Sequence, residues 1–154
     1  LSFARPLAEL ELADLDLRAL AEDVANVLAD RAALAGVVLV VRGGPTMIRG
    51  DARRLREAVL NLTTNALAAT PPGGEVVIAV GASTEGSSIH VTDTGTGMPS
   101  ALVDAPPFTT TRADGTGLGL PIARGAVTQH GGSLAFAVRA GGGTIATITL
   151  PRSP

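Results

Sequence analysis

Apolar positions along this chain follow two periods. Leu17, Leu20, Val24, Val27 and Leu28 recur at three- and four-residue steps, the stripe of an amphipathic helix. Asp14 or Asp16 can cap that helix, and Gly36 is a fitting stop just after Ala35. Val37 to Val41 is a continuous, mostly β-branched run and predicts a buried strand. Gly43-Gly44-Pro45 then turns the chain into a short return strand over Thr46 to Arg49. The helical period resumes after the cap Asp51, with Leu55, Val59, Leu62, Ala66 and Leu67 on one stripe, until Pro71-Pro72-Gly73-Gly74 ends it. Glu75 to Val80 and Ser88 to Thr92 read as two strands joined by a Gly/Ser-rich turn. Residues 98–114 carry three prolines and a threonine run, so they predict a loop with at most one helical turn. A third helix spans Gly117 to about His130 and stops at Gly131-Gly132. Ser133 to Arg139 and Thr144 to Leu150 form a last hairpin around Gly141-Gly142-Gly143. Helices alternate with antiparallel hairpins in blocks. That predicts an α+β fold: a two-layer α/β sandwich whose mixed, mainly antiparallel sheet carries about three helices on one face.

Residues 1–13 read as the tail of an upstream helix or linker, because Pro6 interrupts it while Leu7, Leu10 and Leu12 can pack onward. Residues 14–154 make the folded domain, and a start without Met predicts a piece of a longer protein. With 45% hydrophobic but only 2% aromatic residues, the core must be built from Ala, Val, Leu and Ile. A net charge of −2 argues against a nucleic-acid surface. All twelve basic residues are Arg. The absence of Cys excludes disulfides and thiolate metal sites and fits a reducing cytoplasm. No apolar run reaches the roughly 18 residues of a membrane span, so a cytoplasmic domain without direct membrane contact is expected, whether or not a parent protein is membrane-anchored.

Three places carry candidate chemistry. Glu57, Asn61 and Asn65 stand at i, i+4 and i+8 on the second helix, hence on one face. A solvated polar face explains such a row, yet Asn is a poor residue for a helix interior, and these two lie near the apolar stripe. The amide oxygen of Asn65 could serve Mg²⁺, which takes one or two protein oxygens and fills its octahedron with phosphates and water. Asp93, at the end of a predicted strand, could accept a hydrogen bond from an exocyclic amine such as adenine N6. Gly95 and Gly97 would let a flat ring lie against the backbone, although an Asp-containing turn reads the same way. Gly115-Thr116-Gly117-Leu118-Gly119-Leu120 runs straight into a helix, whose first amides suit phosphate oxygens. It is neither a G-x-x-x-x-G-K-[ST] loop nor a Rossmann turn. Between the glycine clusters, Met98 could pack beneath a base. Phe108-Thr109-Thr110-Thr111-Arg112 offers an apolar anchor, hydroxyls and a cation, the mix a lid over a triphosphate needs.

The order Asn61-x-x-x-Asn65-Ala66, Asp93-x-Gly95-x-Gly97, Phe108-Thr-Thr-Thr and Gly115-Thr-Gly-Leu-Gly-Leu resembles the N box, first glycine box, F box and second glycine box of bacterial sensor histidine kinases. These belong to a superfamily shared with DNA gyrase, the heat-shock chaperone ATPase and mismatch-repair ATPases. His130-Gly131-Gly132, Gly142-Gly143-Thr144 and Leu150-Pro151 extend the likeness over nearly the whole chain. The resemblance implies a Bergerat-type sandwich that binds ATP and Mg²⁺. In it Asn65 would hold the metal, Asn61 would line the phosphate site and Asp93 would take the adenine amine. Gly95 and Gly97 would flank the ring; Phe108, Thr110, Thr111 and Arg112 would form the lid. Gly115, Thr116, Gly117, Leu118 and Gly119 would hold phosphates, with Thr144 nearby. Asn61, Asn65 and Arg112 would assist transfer. The implied partners are the dimerisation and phosphoacceptor domain of the same protein and a downstream response regulator. This fragment alone would be monomeric or weakly associating.

The chain departs from the pattern in its lid, where Thr109 and Arg112 stand in place of a second Phe and a Lys, and after Asn65, where Ala68 and Ala69 supply no cation. His90 and His130 read as structural, so the acceptor histidine would come from elsewhere. Hydrolytic relatives place Glu where Asn61 stands. That favours phosphotransfer over hydrolysis by an ATPase; the alternative reading is a non-catalytic nucleotide-binding or interaction module, while the Phe108-Thr-Thr box and the sensor-kinase-like start weigh against an anti-sigma-type serine kinase.

Overall fold

The structure, a computed structural model, describes residues 10–95 and 119–151. Its elements are β1 (Ala13–Asp16), α1 (Leu17–Ala35), β2 (Val38–Arg42), β3 (Met47–Gly50), α2 (Ala52–Ala69), β4 (Glu75–Ser83), β5 (Gly86–Asp93), α3 (Gly119–Gln129), β6 (Ser133–Val138) and β7 (Thr144–Pro151). Five strands form a mixed sheet in the order β2-β4-β5-β7-β6, and β1 pairs with β3 in a separate two-stranded sheet. Among the described strands, only the β2–β4 pair is parallel. Alternate residues of β4, β5 and β7 (Val76, Ile78, Val80; Ile89, Val91; Ala146, Ile148, Leu150) face the buried stripes of all three helices in one core. The result is the expected α+β sandwich. No described helix is long and apolar enough to cross a membrane.

Helix ends are set by local chemistry. Asp16 holds extended backbone and accepts the Arg18 amide at 3.0 Å, opening α1. Gly36, at φ 70, closes it: its own amide and that of Val37 bond back to Ala33 and Ala32. Asp51 opens α2 in the same way, accepting from the Arg54 amide. Thr70 ends it in an extended conformation, as the following Pro71 demands.

Four expectations are corrected. Residues 13–16, expected as the last tail residue and the helix-cap positions, form a strand paired with β3, and the return strand pairs with β1 rather than with β2. Asp16 explains both, because it also accepts the Thr46 amide at 2.7 Å and draws the two segments together. The β2 strand is not fully buried: it lies at the sheet edge, and Val38 is exposed. Val27 is 67% exposed, since the α1 stripe is drawn round to Ala21 and Ala32, leaving Val27 on its flank.

Candidate functional site

The inward row of β5 runs Ile89, Val91, Asp93: two apolar residues, then a carboxylate at the same kind of position. Asp93 is therefore buried, at 5% exposure. The strand ends there in a tight turn. Gly95 donates its amide to Asp93 Oδ1 at 2.8 Å, and Thr94 is tied to Glu75 through both its amide and its hydroxyl. A second backbone hydrogen bond reaches Asp93 from Thr144, the first residue of β7 and itself buried. Burial pushes the Asp93 carboxyl above its ordinary value. The amides of Gly95 and Thr144 and the charge of Arg139 pull it back only in part. A carboxylate can accept about four hydrogen bonds, so capacity remains for a further donor.

The surroundings fit closely around this turn. A Cβ on Gly95 would run into the Ala69 carbonyl at the end of α2, and one on Gly143 would run into the Asp93 carbonyl. Gly143 adopts φ 100, so both its conformation and its contact call for glycine. The absence of a side chain at Gly95 thus first serves the approach of strand end to helix end.

The second half of α2 carries both asparagines of the candidate site. Asn61 and Asn65 are half-buried, while Glu57 on the same face is exposed. The face is set by Leu55, Val59, Leu62 and Ala66, which take the core side. Asn65 stands one turn before Ala69, and a Cβ on Gly119 would lie 3.9 Å from its Nδ2. The C-terminal half of α2 thus meets Asp93 and Gly95 at its tip and the first described turn of α3 at Asn65. An amide oxygen here is a hard donor of the kind Mg²⁺ accepts. Among the described residues, no three His, Cys, Asp or Glu side chains converge as a metal cage.

Of the residues singled out from sequence, Asp93, Gly95 and Thr144 meet at the end of β5 beside Ala69, Asn65 and Gly119 approach one turn back along α2, and Asn61 lies a further turn back on the same face. Gly97, Met98, Phe108, Thr110, Thr111, Arg112, Gly115, Thr116, Gly117 and Leu118 lie outside the described residues. His90 on the sheet pairs with the Thr147 hydroxyl at 3.0 Å, and His130 is engaged at the end of α3. Sequence reasoning missed Thr94, Gly143 and Arg139 as the setting of Asp93. Gly143 was visible as a turn residue and as part of the Gly142-Gly143-Thr144 match, but not as a neighbour of Asp93, and nothing in the chain order brings Arg139 to the end of β5.

Over residues 50–154 the chain matches the family described as histidine kinase-, DNA gyrase B- and HSP90-like ATPase. It is 40% identical over 106 residues to the sensor histidine kinase ZraS of Escherichia coli, covering 68% of this chain and 23% of that protein. It is 33% identical over 140 residues to sporulation kinase C of Bacillus subtilis, covering 88% of this chain and 33% of that protein. The chain thus spans a third or less of these curated relatives. Among solved structures it is similar to the nucleotide-free catalytic domain of histidine kinase ThkA, with a TM-score of 0.84 and 25% identity over 94% of this chain and 99% of that one.

Proposed function

The chain belongs to the histidine kinase-, DNA gyrase B- and HSP90-like ATPase family, and from that premise we propose that it binds Mg-ATP and donates the γ-phosphate to a histidine on a separate dimerisation domain in two-component signalling. The observation that carries this reading is the convergence of Asp93, Asn65 and Gly119 on the last turns of α2. Asp93 is a buried acceptor with spare capacity and fixed aim, which suits the exocyclic amine of adenine. Asn65 presents an amide beside the start of a helix, where backbone amides favour phosphate. Mg²⁺ arriving with the nucleotide would neutralise phosphate charge, with Asn65 as its protein ligand.

The residues of this chain bind and orient. Asp93 holds the base at one end. The backbone of the second glycine cluster, residues 115–119, holds the phosphates at the other. Asn61 lines that end, and Arg112 with Phe108, Thr110 and Thr111 covers it. Asn61 carries no basic group to activate water, and Glu57 points into solvent one turn away, so transfer to an incoming imidazole is favoured over hydrolysis. Both the acceptor histidine and the base that assists it belong to the dimerisation domain, and the phosphate passes on to a response regulator. The test mixes this chain with the dimerisation hairpin of its parent and labelled ATP. An acid-labile, base-stable phosphohistidine on the hairpin is the expected product. ATP binding without any such product would leave a nucleotide-binding module in place of a kinase.

A further inference from the structure

At the far end of the α2–α3 pair from Asn65, His130, Asp51 and Arg54 anchor one hydrogen-bonded junction. His130, just past α3, accepts the Asp51 backbone amide at Nε2 (2.9 Å), and its Nδ1 meets the Ala126 carbonyl at 2.7 Å. A carbonyl only accepts and an amide only donates, so Nδ1 carries the proton and Nε2 presents its lone pair. The ring sits in a fitted notch beside Leu55: a Cβ on Gly50 would stand 3.1 Å from Leu55 Cδ1 and 3.3 Å from the ring's Cδ2 and Nε2. Asp51 in turn caps α2 and accepts the Glu11 amide at 3.0 Å from the segment entering the domain. Arg54 adds a 3.4 Å contact to Gln129, the last residue of α3.

We propose that His130 is a positioning residue for the nucleotide-binding helix, fixing where Gly119 stands against Asn65. The inference rests on the nucleotide-binding reading above. The two helices run antiparallel and come together near both ends, Gly119 beside Asn65 and His130 on Asp51. Among the described residues no hydrogen bond joins the two helices at the Asn65 end, where a Cβ on Gly119 would stand 3.9 Å from Asn65, whereas the far end is hydrogen-bonded. The buried residues of α3 between them are Ala123, Ala126 and Val127. Such short side chains allow close approach but resist sliding weakly, because little interdigitates. The polar junction therefore sets the helix's axial position. Because Asp51 also holds Glu11, displacement of the incoming segment bears on the same junction.

Calorimetry with Mg-ATP and with adenosine tests this, since only Mg-ATP uses the phosphate end. His130→Phe keeps an aromatic ring and removes both nitrogens. Its Mg-ATP affinity is expected to fall about tenfold, the scale of one lost buried hydrogen bond, while adenosine affinity changes less than about twofold. His130→Gln, whose amide can both accept and donate, should recover most of the loss. Gly50→Ala, which crowds the ring without deleting it, should shift binding in the same direction by less. It carries the comparison if His130→Phe does not fold. Equal losses for both ligands, or no loss, would overturn the positioning role. A wild-type chain that binds neither ligand would instead remove the nucleotide reading on which it rests.

Discussion

The two ends of α2 each hold a buried aspartate, and the two behave oppositely. Asp51 and Asp93 are equally hidden, at 5% exposure each. Burial alone would raise both. At Asp51 it is outweighed by the amides of Glu11 and Arg54 and by the Arg54 guanidinium at 3.5 Å, so its carboxyl lies below the ordinary range. At Asp93 burial wins. Helix polarity runs the same way: Asp51 sits at the N-terminus of α2, where a negative charge is stabilised, and Asp93 lies by its C-terminus, where it is not. One carboxylate is satisfied by the fold. The other is held at a cost the fold does not recover, as expected of a group kept for a ligand.

The contrast breaks most directly on stability. Asp51→Ala removes a cap and leaves the partly buried Arg54 without its anion, so a loss of about 3 kcal/mol is expected in urea unfolding. Asp93→Asn keeps an oxygen for the Gly95 amide and removes a disfavoured charge, so stability should hold or rise. The reverse ranking would mean that the two sites had been assigned the wrong way round. In ligand binding the order inverts: Asp93→Asn should weaken Mg-ATP by about tenfold or more in calorimetry, because an amide NH₂ can oppose the adenine amine where a carboxylate accepts it.

Acid sharpens the same difference. The lowered Asp51 group contributes stability that is fully present above the unfolded value of about 3.9 and is lost as pH falls through its folded value. The raised Asp93 group does the opposite. It penalises the fold at neutral pH, and the penalty fades as pH drops through its raised folded value and is gone below about 3.9. The stability gap between Asp93→Asn and wild type, followed by urea unfolding across pH, should therefore be widest at neutral pH and close on acidification. A gap that widens in acid would contradict this. Gly95→Ala should cost about 1–3 kcal/mol through the Ala69 carbonyl, measured by thermal melting. Glu57→Gln gives the smallest effect. As an exposed carboxylate on the same helix, it should change stability by less than about 0.5 kcal/mol and leave nucleotide binding unaltered.

Much of this was written in the order of residues. Helix caps, glycine stops and the 3.6-residue stripe of α2 are local signals, and each acts within a few residues of itself. The alternation Ile89, Val91, Asp93 already puts the carboxylate on the apolar row of its strand, and the spacing of Asn61 and Asn65 puts both on one face. The β1–β3 pairing was not legible. It depends on Asp16 reaching Thr46, 30 positions along the chain, and no local pattern encodes that bond. The burial of β2 was also misjudged, because a run of valines reads the same at the edge of a sheet as at its centre.

By itself, then, the sequence determined which residues could bind, accept or cap, since those properties belong to side-chain chemistry and short-range periodicity. Only the tertiary structure decided the rest: that Gly95 yields its space to Ala69, that Arg139 and Thr144 come to Asp93, and that His130 joins Asp51 across the helix pair. The physical reason is that a carboxylate's proton affinity and a helix's axial position depend on groups distant in the chain, which the closed sheet and packed helices alone bring into contact.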